Sequence, residues 1–95
     1  MNEVANTVLE QLGGSRFIAM TGAKKLVAGP DYLRFRVATR KINTVTVRLN
    51  GMDLYDVEFG KSTNTLYKVI ATEEDVYADN LGELFTKHTG LYTKL

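Results

Sequence analysis

The strongest constraint in this chain is a set of runs in which apolar and polar residues alternate with a period of two. In Tyr32-Leu-Arg-Phe-Arg-Val-Ala38, Leu33, Phe35 and Val37 alternate with Tyr32, Arg34 and Arg36. Successive side chains of a strand leave on opposite faces, so this run predicts a strand with one apolar and one basic side. A second run sets Val45, Val47 and Leu49 against Thr44, Thr46 and Arg48, and a third offers Tyr55, Val57 and Phe59. Arg40 and Lys41 fall in the connection between the first two, and Asn50-Gly51, a strong hairpin signal, lies between the second and third.

The register of that hairpin follows from the cost of burying charge. A two-residue loop sets Val45 opposite Asp56 and puts a carboxylate on the core face. A three-residue loop, Asn50-Gly51-Met52, pairs Val47 with Tyr55 and Val45 with Val57, and suits a glycine in a left-handed position. The longer loop is therefore expected, with Arg48 diagonal to Asp56 and Thr46 opposite it.

Around this hairpin the other elements are read by spacing. Val4, Ala5, Val8, Leu9 and Leu12 form a helical stripe over Asn2 to Leu12, ended by Gly13-Gly14. Arg16 to Thr21 is a short apolar run between glycines and is expected to be a buried strand. Residues 22–31 read as a turn-rich stretch in which Leu26 and Val27 dip into the core. Gly60 to Asn64 makes a turn, Thr65 to Ala71 a last strand, and Thr72-Glu73-Glu74-Asp75 a helix start, with a capping threonine and acidic residues at the positive end of the dipole. That helix is expected to run to about His88, with a stripe of Val76, Tyr77, Leu81, Leu84 and Phe85, and Gly90 as terminator. An α+β fold is expected: a two-layer sandwich, α-β-β-β-β-α, in which both helices cover one face of an antiparallel four-stranded sheet, with the place of the first strand, Arg16 to Thr21, left open. At 95 residues the chain reads as a single domain, residues 1–95.

Composition narrows the chemistry. With no cysteine and one histidine the chain offers no thiol nucleophile, no disulfide, and neither a cysteine-ligated zinc site nor a histidine-rich metal site, so no metal or other cofactor is expected. No segment is apolar enough to cross a bilayer, and Met-Asn-Glu-Val-Ala does not open a signal peptide; no membrane association and a cytoplasmic location are expected. The net charge of +1 conceals an asymmetry: residues 1–50 carry eight Lys/Arg against three Asp/Glu, and residues 51–95 carry four against eight. Recognition by charge therefore depends on local patches.

The candidate catalytic groups are weak. Phe59-Gly-Lys-Ser62 shares its end with a phosphate-binding loop, but Tyr55 stands where that loop needs another glycine. Thr21-Gly-Ala-Lys24 lacks the following helix that cradles phosphate. His88 and Asn80 lie on or near the last helical stripe, where they are expected to serve as hydrogen-bonded structural residues unless they line a deep pocket. Neither Ser15 nor Ser62 sits in a nucleophile motif. Asp53, Asp56 and Glu58 read as solubilising charge with Asp56 answering Arg48. A non-enzymatic protein with no catalytic residue is expected.

The most informative group is basic: Tyr32, Arg34, Arg36 and Arg48 on one face, with Arg40 and Lys41 at the connecting turn. Ile42, Leu54 and Tyr32 are its expected apolar members. Arg and Tyr are enriched in interface hot spots, so a protein-binding or self-associating module that uses the outer sheet face or a strand edge ranks first. The alternative is single-stranded nucleic-acid binding, in which the same cations hold phosphates, although Tyr32 is the one aromatic ring expected there.

The run Leu12-Gly-Gly-Ser-Arg-Phe-Ile-Ala-Met-Thr-Gly-Ala-Lys24, the Leu49-Asn-Gly-Met-Asp-Leu-Tyr-Asp56 hairpin, and the stretches Val76-Tyr-Ala-Asp-Asn-Leu81 and Phe85-Thr-Lys-His-Thr-Gly-Leu-Tyr92 resemble small uncharacterised proteins of bacteriophages and prophages. The resemblance spans nearly the whole chain. It implies a viral accessory protein in the bacterial cytoplasm whose partner is a host or phage protein, including defence factors. That family has no assigned activity, so the resemblance assigns no residue a role.

Overall fold

The computed structural model describes residues 2–93. Helices α1 (Glu3–Leu12) and α2 (Ser15–Thr21) precede five strands, β1 (Lys24–Ala28), β2 (Tyr32–Arg36), β3 (Thr44–Leu49), β4 (Tyr55–Ser62) and β5 (Tyr67–Val76). A short 3-10 turn, Ala78–Asn80, leads into α3 (Leu81–Thr89). All neighbouring strands pair antiparallel in the order β1-β2-β3-β4-β5, so the sheet is a meander with β1 and β5 at its edges.

The alternating runs set the core. Leu33, Phe35, Val45, Val47, Val57 and Phe59 are buried together with Ala5, Val8 and Leu12 of α1, Phe17 of α2, and Leu81 and Phe85 of α3. Its centre is aromatic: the Phe17 ring meets Phe35 at 5.3 Å and Phe85 at 5.2 Å, both edge-on, and Phe35 and Phe85 lie 6.0 Å apart. Edge-to-face rings add about 0.5–1.5 kcal/mol per pair beyond the area they bury. One helix–strand–helix contact thus ties α2 and α3 to β2.

Among the described residues the sheet has five strands and there are three α-helices, where the expected sandwich has four and two. Arg16 to Thr21 is helical, not extended: Phe17 and Thr21, four apart, are buried while Arg16 and Ala19 are exposed. Thr21 Oγ1 donates to the Phe17 carbonyl oxygen (2.7 Å) and closes the helix. In place of the strand expected at Arg16 to Thr21, β1 comes from the stretch read as a turn. There Leu26 is half-buried against the core, but Val27 faces solvent.

Thr72 to Asp75 is not a helix start. The acidic run continues β5, with Thr72 opposite Glu58 and Glu73 opposite Val57. Its groups find partners that an extended chain supplies: the Asp75 amide donates to Asp56 Oδ1 (3.1 Å) and Glu73 reaches His88. Ladder pairing with the eight-residue β4 outweighs the local preference of an acidic turn for a helix N-terminus.

The β3–β4 hairpin keeps the expected parity but is two residues longer. Val47 faces Val57, Val45 faces Phe59, Leu49 faces Tyr55, and Arg48 lies directly opposite Asp56, with Thr46 opposite Glu58. The three-residue register sets Leu49 against Asp53 and places a carboxylate on the core face; the observed loop, residues 50–54, avoids this. Asn50 builds it. Its Oδ1 accepts the Met52 and Leu54 amides (2.8 and 3.2 Å), and its Nδ2 donates to Asp56 and Asp75 (3.0 and 2.8 Å). The left-handed residue is Asp53 (φ 60°), not Gly51.

Substituting Asn50→Ala removes these contacts and is expected to destabilise the protein by about 1–3 kcal/mol, read as a fall of roughly 4–8 °C in Tm per kcal/mol in a thermal melt. Gly51→Ala, with open space around the new Cβ and no need for a left-handed backbone, is expected to leave Tm nearly unchanged. The opposite ranking shows that the glycine shapes the turn.

Candidate interaction surface

The sheet face opposite the core is built by the polar members of the same alternation. Tyr32, Arg34 and Arg36 of β2 stand opposite Arg48, Thr46 and Thr44 of β3, and Arg48 and Thr46 in turn oppose Asp56 and Glu58 of β4. The structure brings together three of the expected residues. The guanidinium of Arg48 lies 4.7 Å and that of Arg34 5.8 Å from the centre of the Tyr32 ring. These cations are already engaged: Arg48 pairs with Asp31 at 2.9 Å, and Arg34 Nε donates to Thr46 Oγ1 at 3.0 Å. The Tyr32 ring lies so close over Gly29 that a Cβ there would meet it at 1.9 Å.

The other expected members separate. Arg36 turns to the end of the sheet beside Lys24, its register partner on β1. Arg40 and Lys41 are exposed on the β2–β3 connection, where the Arg40 carbonyl accepts Lys61 Nζ (2.9 Å). Leu54 is half-buried in the hairpin loop. Ile42, expected on the outer surface, is buried in the core instead. Its connection is held by Thr39, whose hydroxyl donates to the Ile42 carbonyl.

His88 sits in the helix–sheet interface. Its ring stacks on Phe59 (4.4 Å between centroids, 26° between planes), and Nε2 lies 2.8 Å from Glu73 Oε2. The bond to His88 holds the Glu73 carboxyl below the usual range. Asn80 is exposed on the 3-10 turn. Neither residue lines the open depression of about 1040 Å³ between the α1–α2 turn and α3, which is bordered by Gln11, Arg16, Glu83 and Tyr92. Among the described residues, no cluster of three or more His, Asp or Glu could hold a metal ion, and no helix is long and apolar enough to cross a membrane.

The feature that the sequence reading missed is the contrast between the two sheet edges. β1 is short, begins with Lys24 and Lys25, and carries a register shift between Lys24 and Val27. Those are the devices that keep an edge from pairing. β5 is ten residues long, and Tyr67, Val69 and Ile70 are 42%, 47% and 44% exposed, with Leu66 exposed just before them. The bulge between the Val69 and Ala71 pairs breaks the alternation at Ile70, which is how two consecutive apolar residues reach solvent. In sequence the signal is the run Leu66-Tyr-Lys-Val-Ile-Ala71, which is apolar on both parities and so cannot bury all its members against one face.

Tyr67 anchors this patch. Its ring covers Gly60, where a Cβ would fall 2.3 Å from the phenol oxygen, and its hydroxyl donates to Glu58 Oε2 at 2.6 Å. Burial, then the hydrogen bond and the negative charge of Glu58, push the phenol up to about 12, with Arg34 opposing. No protein-family model, curated protein or solved structure matches the chain.

In an alkaline titration followed by tyrosinate absorbance, the wild-type protein is expected to show a late step near 12 that Tyr67→Phe removes. Glu58→Gln is expected to move that step toward the ordinary value. Because the folded value is raised, the contribution to stability is complete below about 10 and is lost as pH rises toward the folded value. Burial also raises Tyr55, which both proteins keep, so a late step whose full amplitude persists in Tyr67→Phe would contradict the assignment.

Proposed function

We propose that this protein is a non-enzymatic self-associating module of the phage accessory type, and that two copies join through their β5 edges into one continuous antiparallel sheet. The observation that carries this reading is the long, apolar edge: a ten-residue terminal strand with Tyr67, Val69 and Ile70 exposed and Leu66 exposed just before it, in a protein whose other edge strand has five residues and begins with two lysines. An edge strand presents unpaired amides and carbonyls, and an added strand satisfies them with main-chain hydrogen bonds.

Charge selects a second copy as the occupant. β5 carries Lys68 near its start and Glu73, Glu74 and Asp75 near its end. An antiparallel pair with its two-fold axis at Ala71 brings Lys68 of each copy near Glu74 of the other, and sets Val69 and Ile70 beside the partner's strand. A parallel arrangement puts the acidic segments side by side and is disfavoured. Arg34 and Arg48, already held by Thr46, Asp31 and Tyr32, then serve as the solvated wall beside the interface. A bacterial cytoplasmic location and a host or phage protein partner belong to the same proposal as extensions of the sequence resemblance.

Size-exclusion chromatography with light scattering is expected to give twice the chain mass of 10.6 kDa at high concentration. Ile70→Lys and Lys68→Glu are each expected to give monomers, and Lys68→Glu combined with Glu74→Lys to restore the dimer. A wild-type protein that stays monomeric at every concentration, or a dimer indifferent to all three variants, would overturn the proposal.

A further inference from the structure

At the end of the sheet remote from the Asn50 hairpin, four cations converge on one crevice of about 410 Å³. Lys24 and Lys25 come from β1, Arg36 from the end of β2, and Lys61 from β4. No carboxylate lines it. The ion pairs among the described residues, Arg48 with Asp31 and His88 with Glu73, involve none of the four. In a chain with 12 basic and 11 acidic residues, such a grouping gathers like charge that no lining carboxylate offsets. An anion in the crevice offsets it.

The walls are fixed by hydrogen bonds independent of any ligand. Asn43 Nδ2 donates to the Ser62 carbonyl (2.9 Å), the Ser62 amide donates back to Asn43 Oδ1 (2.7 Å), and the Val37 amide donates to the Asn43 carbonyl (3.0 Å). Lys61 is held by its bond to the Arg40 carbonyl. Lys25 stands at the register shift of β1 with φ 54°, a conformation uncommon for a residue with a side chain. The remaining lining comes from Val37, Ala38 and Thr39, with no aromatic ring on which a base could stack.

We infer that this crevice binds an oligophosphate, an anion with two or more linked phosphoryl groups, whether free or as the phosphate tail of a nucleotide. Its volume is in the range of small-molecule sites, and four cations exceed what one phosphate can neutralise. The planar fork of Arg36 suits two oxygens of one phosphoryl group, and the lysines act as point charges along the chain. The missing ring sets it apart from a surface that holds a single strand by stacking.

Isothermal titration of the full chain with inorganic tripolyphosphate, orthophosphate, ATP and an oligothymidylate tests this. Tripolyphosphate is expected to bind at least ten-fold more tightly than orthophosphate, with affinity falling as salt is added. ATP is expected to match tripolyphosphate if the phosphate tail alone is recognised, and to exceed it if the nucleoside adds contacts. Arg36→Ala and Lys25→Asn, the second chosen because asparagine tolerates the left-handed backbone, are each expected to weaken tripolyphosphate binding by ten-fold or more. Arg34→Ala and Arg48→Ala, on the outer face, are expected to change it less than two-fold. Absence of tripolyphosphate binding at low salt, equal losses in crevice and outer-face variants, or oligothymidylate binding that outlasts the crevice variants would each overturn the inference.

Discussion

The structure depends on one constraint: three neighbouring strands must put every second residue against the same aromatic contact. Phe35 on β2 meets Phe17 and Phe85, and the registers align Leu33 with Val47, Phe35 with Val45, and Val47 and Val45 with Val57 and Phe59. A slip of one residue would turn Arg34, Thr46 and Asp56 inward, at the cost of several unpartnered polar groups. The polar face, the crevice at one end and the bare edge at β5 are consequences of that alignment, because a meander leaves its first and last strands half-paired.

Where the alternation is clean, the sequence could be read directly. The strands around Phe35, Val45 and Val57 and the parity of the hairpin follow from residue type alone, as does the grouping of Tyr32, Arg34 and Arg48. The loop length required one further step, the pairing of Leu49, which excludes Asp53 from the inner face. The misreadings share a cause. Arg16 to Thr21 is too short for its period to be distinguished by hydropathy, and only the four-residue spacing of Phe17 and Thr21 marks it as helical. Thr72 to Asp75 has the composition of a helix start, but its fate is decided by β4, whose open side is invisible locally. Alternation groups Arg36 with the outer-face arginines because parity fixes a side of the sheet and not a position along it. Its place beside Lys24 depends on a β1 strand hidden in a glycine-bounded stretch.

The two edges express different solutions to the same problem. β1 is closed to pairing by lysines and a register shift, and those lysines then contribute to a cationic crevice. β5 also carries bulges, but here the shift at Ile70 adds apolar exposure. His88 and Glu73 brace the inner side of β5 against α3, so the strand is held in place while its outer edge remains free. A strand fixed on one side and open on the other would pair at a lower ordering cost in the proposed association.

Amide hydrogen exchange measured across a dilution series tests the free edge most directly, because it reads the backbone groups themselves. If β5 pairs with a second copy, exchange within Tyr67–Ala71 slows as protein concentration rises, while exchange in β1 stays constant. Protection of β5 that does not change with concentration, or a change confined to β1, would contradict that pairing.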